Sequence, residues 1–264
     1  NSYLNLYSDI EIDEVFEGAW SDDPGNLPFI LQQIKGKHSH INKAEIKRIR
    51  RVFYALCTHI DHQLRLVLGT LREEGLLDDA ILLFTSDHGD MLGNHGLWAK
   101  RLFYEGSANV PMILVGGRNN RVEYGSVEHR LVGWRDIMPT LLDLAEIDVP
   151  KTVEGLSMIG LEKRDSLYGE CGDGSTATRM IRNDRHKLIY YPTGNRLQLF
   201  DLQKDPCEKI DLSESDRHKS TLNHLTTLLL NELYDQDMQW VSKEKLIGLP
   251  DLPHIPSSNK GLSG

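Results

Sequence analysis

Ile81-Leu82-Leu83-Phe84-Thr85-Ser86-Asp87-His88-Gly89-Asp90 reads as a buried strand running into a turn. Four apolar residues in succession have the length of a strand, and the Gly and Asp after them have the punctuation of a loop. In open parallel sheets, ligands collect just beyond the carboxyl ends of strands, so Asp87 and His88 are candidate metal ligands facing a site. Lys100 follows in the loop Asn94-His95-Gly96-Leu97-Trp98-Ala99-Lys100-Arg101-Leu102-Phe103-Tyr104-Glu105-Gly106, before a second strand-like run, Val110-Pro111-Met112-Ile113-Leu114-Val115. A carboxylate, an imidazole and an ammonium in one loop region suit an anionic substrate held against a divalent cation.

Working outward, Asn42 with Glu45 three residues on has the form of a capping box. Ile46, Ile49, Phe53, Leu56, Ile60, Leu64, Val67 and Leu71 then repeat every three or four residues, a continuous apolar stripe on a helix of roughly thirty residues that Gly75 ends. The basic run Lys47-Arg48-Ile49-Arg50-Arg51 reads as a solvated face of that helix, and Cys57, beside the stripe, as a small core residue. His59 and His62 read as a satisfied surface pair. Residues up to about Ser39 hold Gly and Pro at irregular intervals and read as loop with short helical turns, with His38 and His40 in a surface loop. Asp136 to Ala145 is an amphipathic helix with Pro139 in its first turn. Helix alternating with buried strand indicates an α/β layered fold.

After Gly155 the pattern changes. Arg179 to Arg182, Lys187 to Tyr191 and Leu197 to Leu202 are β-prone runs joined by the turns Asn183-Asp184 and Pro192 to Asn195, an antiparallel meander. A helix over about 216–235 packs on it through Leu222, Leu225, Leu229 and Leu233. The division expected is 1–155, 156–247 and a tail, 248–264, rich in Pro, Ser and Gly that need not be ordered.

The 264 residues, 39% hydrophobic and 26% charged, suffice for a sizeable core. The net charge of −9 argues against a nucleic-acid footprint, which needs clustered Lys and Arg. No apolar run reaches the roughly eighteen residues of a membrane span. Cys57, Cys171 and Cys207 are too few and too scattered for a disulfide framework or a CxxC metal site, and they set no compartment. The chain opens without Met and without a targeting signature, as the middle of a longer protein does.

Four stretches in order resemble the sulfatases of the alkaline-phosphatase-like superfamily. They are Tyr54-Ala55 with Thr58-His59-Ile60-Asp61, the run Thr85 to Trp98 with Lys100, Asp136 to Ala145, and Lys187 to Tyr190 with Leu199-Phe200-Asp201-Leu202 and Asp205-Pro206. The resemblance covers residues 43–212, and its second stretch is the specific one. It implies an α/β layered sheet with flanking helices, here partial, followed by a smaller C-terminal antiparallel sheet with a packed helix. It implies hydrolysis of a small sulfate ester, with Asp87 and His88 on a divalent cation, calcium by analogy, and Lys100 on the sulfate. His95, in the same loop, is a substrate-contact or supporting candidate. The imidazole of His88 suits zinc or manganese better than calcium, and Trp98 either walls the site or packs beneath the loop.

The resemblance also implies a formylglycine nucleophile made within a Cys/Ser-x-Pro-x-Arg motif. None of the three cysteines sits in one, so the chain is expected to lack about the first half of its enzyme and to show no turnover alone. A phosphate or phosphonate ester hydrolase of the same superfamily, or a non-catalytic scaffold whose C-terminal sheet and helix mediate association, are the competing readings. Oligomerisation stays open in each.

Overall fold

The computed structural model describes residues 2–22, 27–118 and 121–253. In chain order the helices are α1 (Ser2–Asn5), α2 (Phe29–His38), α3 (Lys43–Glu73), α4 (Glu105–Ala108), α5 (Ile137–Leu144) and α6 (Lys219–Glu232). The strands are β1 (Leu82–Thr85), β2 (Met112–Val115), β3 (Leu167–Cys171), β4 (Thr178–Arg182), β5 (His186–Tyr191), β6 (Arg196–Asp201), β7 (Val241–Ser242) and β8 (Lys245–Leu246). They fall into two compact units. The first comprises residues up to 13 with 47–87 and 110–165, the second 14–46, 88–109 and the residues from 166 on. This division differs from a cut at residue 155 because two earlier segments pack on the C-terminal sheet. Most of the proposed tail, residues 254–264, lies outside the described residues.

In the first unit α3 is the long element. Its capping box is formed: Asn42 Oδ1 accepts from the amides of Ala44 and Glu45 at 3.0 and 3.1 Å, and Glu45 Oε2 accepts from the Asn42 amide at 2.9 Å. Gly75 closes the helix at φ +70°, with the Leu76 amide reaching Leu71 O at 2.8 Å and the Gly75 amide reaching Arg72 O at 3.1 Å. A left-handed residue there satisfies carbonyls that the helix leaves open. The apolar stripe is only partly covered, however. Leu56, Ile60 and Val67 are 54%, 52% and 57% exposed, and Cys57, expected in the core, is exposed as well. Arg50, expected on a solvated face, is buried and donates to Asp13 O at 2.8 Å.

β1 pairs with β2 antiparallel, Leu83 opposite Leu114 and Phe84 opposite Ile113. The expected buried strand in a parallel sheet is therefore a half-covered strand of an antiparallel pair, with Phe84 exposed. Asp136, buried below α5, ties down the residues that follow. It accepts a two-bond fork from Arg164 at 2.5 and 2.6 Å and the amides of Gly133 and Leu156 at 2.7 and 2.8 Å. Burial works against its charged form, but these donors outweigh burial and hold the carboxyl below its usual range.

The second unit is built on the antiparallel meander β3-β4-β5-β6, with β3 an addition to the expected three strands. From Leu188 to Tyr191 β5 is fully buried because both faces of the sheet are covered. On one face Ile189, Tyr191 and Phe200 pack with Leu27 and Leu31 and with Met91, Leu97, Leu102 and Tyr104 of the loop after β1. On the other, Ile181, Leu188, Tyr190 and Leu199 meet Leu225, Leu229 and Leu233 of the α6 region and Trp240. The ten-residue α2, where loop was expected, owes its place to Leu31, which is wholly buried in the first of these clusters.

Lys187 lies on the same face as Ile189, 1% exposed. Its ammonium reaches Phe103 O at 2.6 Å, Glu105 Oε1 at 2.5 Å and Glu208 Oε1 at 2.7 Å, and Glu208 Oε2 accepts the Glu105 amide at 2.7 Å. Burial raises the Glu208 carboxyl against the pull of Lys187. At Glu105 burial acts the same way, but Lys187 and Arg182 prevail and lower it. Removing one member of such a cluster leaves uncompensated buried charge. Lys187→Met is expected to cost about 3–5 kcal/mol of unfolding free energy in urea melts; a loss under about 1 kcal/mol would mean that the cluster does not hold the unit together.

Candidate active site

The loop that carries Lys100 is drawn in at both ends. The Gly89 amide donates to Ser107 O at 2.9 Å, and a β-carbon on Gly89 would lie 2.1 Å from Gly106 O, so no other residue fits there. Between these ends Asp90 Oδ1 accepts from the amides of Leu92 and Ala99 at 2.8 and 3.2 Å. Met91 bonds Ala99 O, and Gly93 bonds Leu97 O, both at 2.9 Å. Leu92, His95, Ala99 and Arg101 all have left-handed backbones, φ 48°, 56°, 59° and 74°. Each costs roughly 1–2 kcal/mol, and such strain persists only where the surroundings over-determine it. Here the Asp90 carboxylate and the buried Met91, Leu97 and Leu102 do so.

Lys100 emerges from this loop exposed, with its Nζ 2.7 Å from His88 Nε2. His88 Nδ1 lies 2.8 Å from Gly89 O. Only one tautomer serves both contacts: Nδ1–H donates to the carbonyl and the Nε2 lone pair accepts from the ammonium. A backbone carbonyl on one ring nitrogen is also how metal-binding imidazoles are aimed, so the orientation of His88 fits a ligand. Asp87 ends a segment of the first unit as His88 begins a segment of the second. Beside Asp87, Ser86 O accepts from Trp134 Nε1 at 3.2 Å. Among the described residues no three His, Cys, Asp or Glu side chains gather to hold a metal.

His95 does not join Lys100. It is 1% exposed, accepts the Gly18 amide on Nδ1 at 3.0 Å, and directs Nε2 to Cys207 O at 3.0 Å. Its ring packs among Phe16, Trp20 and Tyr104. With both nitrogens engaged by backbone inside the core, the ring presents no free nitrogen to the surface, and of the two expected roles its placement fits the supporting one. Burial lowers its pKa to about 4, only partly opposed by the Cys207 carbonyl. Trp98 is buried beneath the loop, with the His38 ring 6.0 Å away at the end of α2. His59 and His62 flank Tyr3, with ring centroids 5.0 and 5.2 Å away.

Sequence reasoning gave no role to Asp90 or to the Glu105, Lys187 and Glu208 cluster. The available signal was a lysine running straight into Leu188, Ile189, Tyr190 and Tyr191, since Lys is almost never buried unless paired.

The model of the family described as Sulfatase matches residues 13–147, and that described as N-sulphoglucosamine sulphohydrolase, C-terminal, matches residues 93–236. The chain belongs to the sulfatase family. It is 36% identical to an arylsulfatase of Clostridium perfringens over 96% of its own length and 54% of the relative's. It is 34% identical to a choline-sulfatase of Rhizobium meliloti over 81% and 43%. The chain thus spans about half the length of these relatives. A phosphonate monoester hydrolase of Agrobacterium radiobacter shares the fold, with TM-score 0.76 and 19% identity over 94% of this chain and 57% of that one.

His95 gives this sulfatase-family chain an acid-sensitive core. With the folded pKa at about 4 and the ordinary value at 6.5, the unfolded chain takes up the proton first. Its contribution is therefore complete above pH 6.5 and is lost as pH falls to about 4, on the order of 3 kcal/mol. His95→Gln, which keeps an acceptor and a donor without titrating, is expected to flatten stability across that window in urea melts. An unchanged slope would show that His95 is not the group titrating there.

Proposed function

We propose that the protein acts on sulfate esters, with Lys100 as the cationic contact to the ester and Asp87 and His88, neighbours in the chain, as ligands of a divalent cation. Membership of the sulfatase family supports the reading. The observation that carries it is the Lys100 ammonium held at His88 Nε2, 2.7 Å away, on a loop braced by Asp90. The substrate class follows the arylsulfatase and choline-sulfatase relatives.

In this reading the Lys100 ammonium donates to an ester oxygen and neutralises the charge that grows there as the S–O bond breaks. The single lone pair on His88 Nε2 serves one partner at a time, so the imidazole either accepts from Lys100 or binds the cation. When bound, the cation supplies fixed positive charge that polarises the ester. The Asp87 carboxylate suits calcium, while the imidazole suits zinc or manganese. Formylglycine is the nucleophile the family implies. Cys57, Cys171 and Cys207 lie outside its sequence motif, so attack is assigned to none of them.

A second reading, phosphate or phosphonate ester hydrolysis, is favoured by the fold match to the phosphonate monoester hydrolase. In an active polypeptide containing this chain, Lys100→Ala is expected to lower kcat/KM for 4-nitrophenyl sulfate by about 10²-fold or more with an unchanged melting temperature. Lys100→Arg should recover part of the loss. Full turnover in the Ala variant removes Lys100 from the site, and preference for phenyl phosphonate esters transfers the chemistry to the second reading.

A further inference from the structure

The first unit is short of core. Among the described residues both hydrophobic clusters lie in the second unit, and the first contributes only Ile12, Ala55 and Leu144 to the fully buried aliphatic and aromatic residues. Its sheet is β1 and β2 alone, so each strand has one edge unpaired among the described residues. A two-stranded pair is marginal by itself in water. One face of this pair is also bare. Phe84 stands opposite Ile113, and Val115 opposite Leu82 shares their face, yet Phe84, Ile113 and Val115 are 37%, 54% and 42% exposed. On α3 the stripe residues Leu56, Ile60 and Val67, spaced by four and seven, are each more than half exposed.

Uncovered apolar surface of this kind marks a place where another polypeptide packs. The open strand edges specify that polypeptide further. An occupant that brings strands extends the ladder by main-chain hydrogen bonds while its side chains cover the bare face. A second copy is a poor complement, since it offers another two-stranded pair and leaves outer edges open again. The relatives, by contrast, carry enough chain to close the unit. This chain spans 54% of the Clostridium arylsulfatase and 43% of the Rhizobium choline-sulfatase, and the Sulfatase model, matched over residues 13–147, takes in α3, β1 and β2.

We propose that the bare face of β1 and β2 and the exposed stripe of α3 dock a strand-bearing polypeptide equivalent to the stretch of those relatives that this chain does not span. The contact is made by side chains and strand edges and needs no peptide bond between the partners, so the two assemble as separate chains. The inference rests on membership of the family and not on the reaction proposed for Lys100.

The test is co-expression of the tagged 264-residue protein with the unmatched stretch of the Clostridium arylsulfatase and, in a second culture, with that of the Rhizobium choline-sulfatase. An equimolar complex is expected to survive tag purification and size-exclusion chromatography with at least one of them. Ile60→Lys with Ile113→Lys, both at exposed positions, should lower the amount recovered by about tenfold or more. Val67→Lys gives a second reading that leaves the strands untouched. Ile247→Lys, exposed on the second unit, should leave recovery unchanged. No complex with either stretch overturns the proposal, and so does recovery undiminished in both the paired variant and Val67→Lys. A dimer of the 264-residue protein alone that Ile113→Lys disperses assigns the surface to a second copy and overturns it as well.

Discussion

One buried ammonium organises the second unit. Lys187 arrives on the middle of the meander with no access to water, and each of its three donors must find an oxygen. It finds them on Phe103, Glu105 and Glu208, two of which belong to the loop after β1 and the third to the chain after β6. Three distant stretches of sequence are thereby fixed at one point. Trp20 joins the same point by donating from Nε1 to Glu208 O at 2.8 Å, which brings in the N-terminal segment of that unit.

The Lys100 loop inherits its rigidity from this anchoring. Its left-handed residues could relax only if the segment were free to unwind, and both ends are fastened. His95 contributes as a fastener, bonded to Gly18 on one side and Cys207 on the other. Held in this way, Lys100 needs no partner from a distant element to keep its ammonium beside His88. Within the loop, the Asp90 carboxylate and the apolar side chains turned inward add to these fastenings.

Local signals were legible in the sequence, and pairing was not. The capping box at Asn42, the stop at Gly75, the three strands around Lys187 and the α6 stripe follow from spacing of a few residues, which the chain states directly. Lys100 and His88 were read together from their shared loop, and they meet. His95 looked like chemistry for the same reason, yet its neighbours Phe16 and Trp20 lie some eighty residues earlier, and no local pattern announces that burial. The α3 stripe shows the converse case. Its period specifies a helix correctly, but period alone cannot say how much partner surface is present. β1 looked buried for the same reason, because four apolar residues state a strand without stating how many neighbours it has.

The contact of Gly89 with Gly106 makes the intervening loop a cassette. Its two ends lie against each other, but Met91, His95, Leu97, Leu102 and Tyr104 between them are seated in the core of the second unit, so the loop exchanges as a block only with those buried residues kept. A single inserted residue inside it has no slack to enter.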